Sequence, residues 1–72
     1  MIPMSALKSG TSAVVKLLCL DDKITHRLSN FGLRPGAVFT VLFQNGDSII
    51  KLKETKIAVD IAICRNIVVS LS

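Results

Sequence analysis

The 72-residue chain is 50% apolar and carries nine Lys or Arg against five Asp or Glu, a net charge of +4. That composition excludes intrinsic disorder, because enough apolar surface is present to offset chain ordering. It also bounds the molecule to one small domain, which buries only about 60% of its unfolded surface. The longest uncharged stretch, Pro35 to Gly46, is too short for the roughly twenty residues of a membrane-spanning helix.

In chain order, Met4 and Leu7 stand three apart, as on one helical turn, and Gly10 ends that turn. Thr11 to Leu20 reads as a strand with apolar groups on both faces and Lys16 as its single charge. Asp21 and Asp22 stop the run and are placed to cap a helix. Ile24, Leu28 and Phe31 follow at helical spacing, so an α-helix is expected over about residues 21–31, with Phe31 on its buried face. Gly32 sits where a left-handed residue closes such a helix. Leu33 then re-enters the core, and Arg34-Pro35-Gly36 makes a turn.

A second strand runs from Ala37 to Gln44. Its alternation puts Phe39, Val41 and Phe43 inward and Val38 and Leu42 outward. Asn45-Gly46-Asp47 is a strong hairpin signal. The returning strand, Ser48 to Lys53, places Ile50 and Leu52 on one face and Ile49, Lys51 and Lys53 on the other. A turn at Glu54-Thr55, a strand from Lys56 to Asp60, a helical turn near 60–66 with Asp60 as cap, and a closing strand from Ile67 to Leu71 complete the chain. The core is aliphatic, since three Phe are the only aromatic residues. Five short strands and one inserted helix fit a mainly β, strongly bent barrel rather than a layered sandwich.

The run His26-Arg27-Leu28-Ser29-Asn30-Phe31-Gly32-Leu33-Arg34-Pro35-Gly36 carries a more specific signal than periodicity. Its pattern, Arg-Leu-x-x-(Leu/Phe)-Gly-Leu-x-Pro-Gly before an alternating strand, resembles the ferrous-iron transport protein A family (FeoA). Leu7, Gly10, Ala13 and Val15 resemble the start of that family. Ile50, Leu52, Ile57, Ala58, Val59, Ala62, Ile67 and Val69 follow its later spacing. The resemblance implies an SH3-like five-stranded barrel with a helix inserted after the first strand. It also implies a cytoplasmic accessory protein acting beside a membrane ferrous-iron permease (FeoB-like) with a GTPase domain. Similar domains end metal-dependent repressors, so a stand-alone metal-responsive domain is the alternative. The chain departs from the family at Glu54, where Gly is common, and at Asp60, where Arg is frequent.

The residues themselves limit the chemistry. No secretory signal is evident at the N-terminus, since a basic start, a continuous apolar run and a small-residue cleavage site are all missing, so a cytoplasmic location is expected. Cys19 and Cys64 read as reduced, small hydrophobes. Cys19, Asp22 and His26 are candidate ligands for weak divalent transition-metal binding, with Asp22 and His26 four apart on one helix face. No cofactor is required, and no nucleophile with a positioned base is discernible, so an enzyme is not expected. Arg27, Arg34, Lys51 and Lys53 are the candidate contacts to an acidic partner surface. Lys51, Lys53 and Lys56 form a modest basic stripe. A small barrel binding nucleic acid through that stripe is therefore a further alternative; single-strand binders add stacking aromatics to such a stripe, and all three Phe fit core positions, so nucleic acid is not the expected partner. The outward Val38, Leu42 and Ile49 leave two alternatives: a helix covers that face, or it is an exposed patch for a partner or a second copy.

Overall fold

Six antiparallel strands and two short helices make up the computed structural model, which covers residues 1–72. Strand β1 (Ile2–Pro3) leads into a 3-10 turn (Met4–Ala6), then β2 (Ser12–Leu18) and helix α1 (Asp22–Asn30). Strands β3 (Val38–Asn45), β4 (Asp47–Leu52) and β5 (Thr55–Val59) follow as a meander, and α2 (Ile61–Cys64) precedes β6 (Ile67–Leu71). The sheet order is β1-β6-β2-β3-β4-β5. One strand more than expected is present, because Ile2 and Pro3 pair with Val69 and Val68 of β6.

The sheet wraps one aliphatic core that includes Met4, Ala13, Val15, Leu33, Phe39, Val41, Ile50, Ile67 and Val69. The N-terminal turn contributes Met4 and Leu7 to it, as their spacing predicted. Helix α2 packs against β4 and the N-terminal turn. It is held there by two aspartates: Asp60 Oδ1 accepts from the Ile63 N–H at 2.9 Å and Asp47 Oδ1 from the Ile61 N–H at 2.8 Å.

Helix α1 begins at the expected cap, where Asp21 Oδ1 accepts from the Ile24 N–H at 2.8 Å. Its exit corrects one expectation. The Leu33 N–H donates to the Leu28 carbonyl and the Gly32 N–H to the Ser29 carbonyl, both at 2.9 Å, with Gly32 at φ +94°. This is a Schellman closure, in which the apolar partner of the helix is the residue after the glycine. Leu33 therefore takes the core position beside Leu28, and Phe31, the C-cap, is 53% exposed.

A second correction concerns β3. Val41 pairs with Ile50 but Phe43 pairs with Ile49, so Leu42 is an extra residue, a β-bulge. One added residue reverses the facing of all that follows. Phe39 and Val41 remain buried, while Phe43 points outward at 54% exposure. The inward position passes to Gln44, which hydrogen-bonds the fully buried Ser48 and donates from Nε2 to the Gly46 carbonyl at 3.1 Å. Strand β2 contains the same device at Lys16, which leaves Leu17 exposed.

Candidate partner-docking cleft

The loop that leaves α1 and the β4–β5 turn face each other across an open cleft of about 740 Å³. Phe31, Arg34 and Val38 line it together with Lys53, Glu54 and Thr55. Each position has a local cause. Phe31 keeps helical dihedrals (φ −88°, ψ −2°), and the Schellman turn that follows it carries Leu33 into the core in its stead. Pro35-Gly36 redirects the chain so that Arg34 lies at its corner, and the tight reversal after Leu52 projects Lys53. Leu52 pairs with Thr55, so only Lys53 and Glu54 form that reversal. The cleft thus combines two apolar surfaces, Phe31 and Val38, with two cations and one carboxylate.

Lys53 has φ +51°, a left-handed conformation that no other non-glycine residue of the chain adopts. That conformation costs an L-residue roughly 1–2 kcal/mol. Glycine, which the family pattern placed one residue later, would be unstrained here. Lys53→Gly is expected to raise stability by about 0.5–1 kcal/mol, the relief of strain less the added freedom of the unfolded chain. A urea midpoint that falls instead would show that the Lys53 side chain itself supports the turn.

Of the four candidate contact residues, the fold brings Arg34 and Lys53 into this cleft. Arg27 lies in the last turn of α1 and Lys51 on the outer face of β4, both exposed and neither among the cleft residues. Phe31, expected on the buried face of α1, escaped the sequence reading, whereas Val38 stands outward as the alternation of its strand implied. The available signal was Phe31 standing directly before the glycine that closes the helix.

The candidate metal ligands do not assemble. Asp22 and His26 share the exposed surface of α1, and Cys19 lies before that helix, with its N–H donating to the Asn66 carbonyl at 2.7 Å. No group of three His, Cys, Asp or Glu side chains is placed to hold a metal ion.

The two thiols differ sharply. Cys19 is exposed, whereas Cys64 is fully buried beside Ser48 Oγ at 3.4 Å. Burial pushes the Cys64 thiol above its ordinary value of 9.0, and Asp60 and Asp47 push it further up, against a downward pull from the Ser48 hydrogen bond. Titration of the native protein with a thiol reagent is expected to modify Cys19 rapidly and Cys64 only on unfolding. Because the folded state holds the Cys64 proton more tightly than the unfolded chain, the contribution of Cys64 to stability is constant below the ordinary thiol value. It declines as pH rises through that value toward the raised one. A pH-independent urea midpoint across that alkaline range would contradict this.

The FeoA domain model matches residues 2–71. The chain belongs to the FeoA domain family. No curated protein sequence matches it. Among solved structures, the FeoA domain described here is similar to a crystal structure of an iron uptake regulatory protein (FeoA). The two share 24% identity at a TM-score of 0.86, over 94% of this chain and 93% of that one. It is also similar to FeoA from Chlorobium tepidum, at 22% identity and TM-score 0.88, over 97% of this chain and 70% of the other. IdeR from T. acidophilum contains the same fold, at 19% identity and TM-score 0.89, with 99% of this chain covered but only 34% of IdeR. At these identities the likeness establishes the fold, an SH3-like barrel with the α1 insertion after β2. No helix of this FeoA domain is long and apolar enough to cross a membrane.

Proposed function

We propose that this FeoA domain is a cytoplasmic adaptor of ferrous-iron uptake, which docks on the cytosolic, GTPase-bearing part of a membrane Fe(II) permease and performs no chemistry of its own. Family membership supports the association with iron uptake. The observation that carries the docking reading is the strained Lys53, held beside Arg34 and the exposed Phe31 in one cleft. Strain retained where glycine would relieve it points to a side chain kept for contact. A lysine and a guanidinium around apolar walls suit an acidic segment bearing an apolar side chain.

The test is calorimetric titration of the FeoA domain with the permease's isolated cytosolic domain at low ionic strength. Saturable binding that weakens with added salt is the expected result. No heat and no co-sedimentation of the wild-type pair would remove the adaptor reading.

A second reading draws on the likeness to IdeR and to a manganese-dependent transcriptional repressor. A metal-responsive domain requires saturable Fe(II) or Mn(II) binding that His26→Ala abolishes. Its candidate ligands Asp22 and His26 share the exposed surface of α1, and Cys19 precedes that helix.

A further inference from the structure

On the outer face of β3, β4 and β5, the strand register lays three rows of side chains across the sheet. Thr40, Lys51 and Lys56 are paired neighbours in the first row, and Phe43, Ile49 and Ala58 in the second. Asn45 and Asp47 begin the third. Asp60 continues that row: Val59 pairs with Ser48, and Asp60 retains an extended backbone (φ −71°, ψ 162°). Successive rows lie two residues apart along β4, about 6.8 Å. The middle row is apolar and open to solvent, with Ile49 at 42% exposure, and the bulged Leu42 widens it at 41%. Neither α1 nor α2 covers it.

The charges on either side of this row are unusual in their sorting. Lys51 faces Lys56 directly, and like charges opposite each other are destabilising. Asp47 and Asp60 stand at the opposite edge, where one oxygen of each accepts from an amide of α2. The face is therefore a cationic row, an apolar row and an anionic row in parallel. A polyanion would meet the aspartates, and a purely acidic protein surface would be repelled by the same edge.

The pattern is complementary to itself. A half-turn about an axis lying along the apolar row, in the plane of the face, returns Phe43, Ile49 and Ala58 onto their own copies. The same rotation sets Lys51 and Lys56 over Asp47 and Asp60 of the second chain, and the reverse. We infer that this face is the contact surface of a two-fold homodimer, a second copy of this chain being its occupant. Three strands about 4.8 Å apart and about six residues long offer less than the roughly 800 Å² per partner of a stable interface. The dimer is accordingly weak, with a dissociation constant between micromolar and millimolar, and it weakens further as salt screens the charge rows. This inference is independent of the docking cleft, whose residues lie outside the three rows.

Sedimentation equilibrium and amide chemical shifts followed from micromolar to millimolar protein test it. The average mass is expected to climb toward that of a dimer, with shifts concentrated at Phe43, Asp47, Ile49 and Lys51. The double variant Lys51→Glu with Lys56→Glu removes a like-charged pair of one sign and installs one of the other, so it is expected to fold. It should self-associate at least about tenfold more weakly, since like-signed rows now meet. In a Cys19→Ser background, Ile49→Cys lies on the rotation axis and is expected to form a disulfide-linked dimer on mild oxidation, while Lys16→Cys on β2 does not. A strictly monomeric protein at millimolar concentration overturns the inference. Undiminished association of the double variant does so too. Shifts at this face that arise only on adding the permease's cytosolic domain would assign the surface to that partner and equally overturn it.

Discussion

Phe39→Ala is expected to lower the free energy of unfolding by about 3–5 kcal/mol, while Phe43→Ala, four residues along the same strand, changes it by less than about 1 kcal/mol. Both residues carry the same side chain and the same place in an alternating apolar pattern. Phe39 is 1% exposed and forms part of the core, so truncation leaves a cavity as well as losing transfer energy. Phe43 lies beyond the Leu42 bulge and faces solvent, so its truncation removes little buried area. A domain of this length has about 4–11 kcal/mol of total stability, which makes the first substitution close to unfolding. Phe39→Leu, a smaller loss, keeps the comparison measurable if Phe39→Ala does not fold. Urea denaturation followed by circular dichroism separates the outcomes. Equal midpoint shifts for the two alanine variants would mean that the bulge is not where the register places it.

Reversing both cations of the cleft, Arg34→Glu with Lys53→Glu, is expected to weaken binding of the permease's cytosolic domain by about a hundredfold at low salt. Each reversal replaces an attraction by a repulsion at a partly desolvated contact, worth about 1–1.5 kcal/mol per site, and 1.4 kcal/mol is tenfold in affinity. The loss should shrink in high salt, because an open cleft is screened. Arg27→Glu lies outside the cleft and is expected to change affinity by less than about threefold. Calorimetric titration of the three proteins decides the matter, with circular dichroism confirming that each is folded. A larger effect from Arg27→Glu than from the double variant would move the docking surface onto the outer side of α1.

Much of the architecture was legible because it rests on local chemistry. The cap at Asp21, the glycine closure at Gly32, the hairpin at Asn45-Gly46-Asp47 and the short helix begun by Asp60 all stand where their residue types implied. Each is decided by a handful of adjacent backbone groups seeking partners, and such signals survive in one dimension. The candidate contacts were legible only as residue types. A cation at Arg34 and another at Lys53 are visible in the sequence, but their convergence needs the α1 exit and the β4–β5 turn to meet across the barrel.

The two misplaced aromatic residues both stand next to a break in regular backbone. Unbroken periodicity puts Phe31 and Phe43 inward; the Leu42 bulge reverses the facing of Phe43, and the Schellman turn after Phe31 gives the core position to Leu33 instead. Alternation and helical spacing count residues, whereas a bulge or a Schellman turn changes what one residue of spacing means. By itself, the amino-acid order determined both helices, the five longer strands, the helix caps and the family pattern, since these depend on neighbours within a few residues, whereas β1 exists only through its pairing with β6. Only the tertiary structure decided which side chains face out, which cations share a cleft and how the three rows line up, because strand pairing and bulges join residues that are distant along the chain.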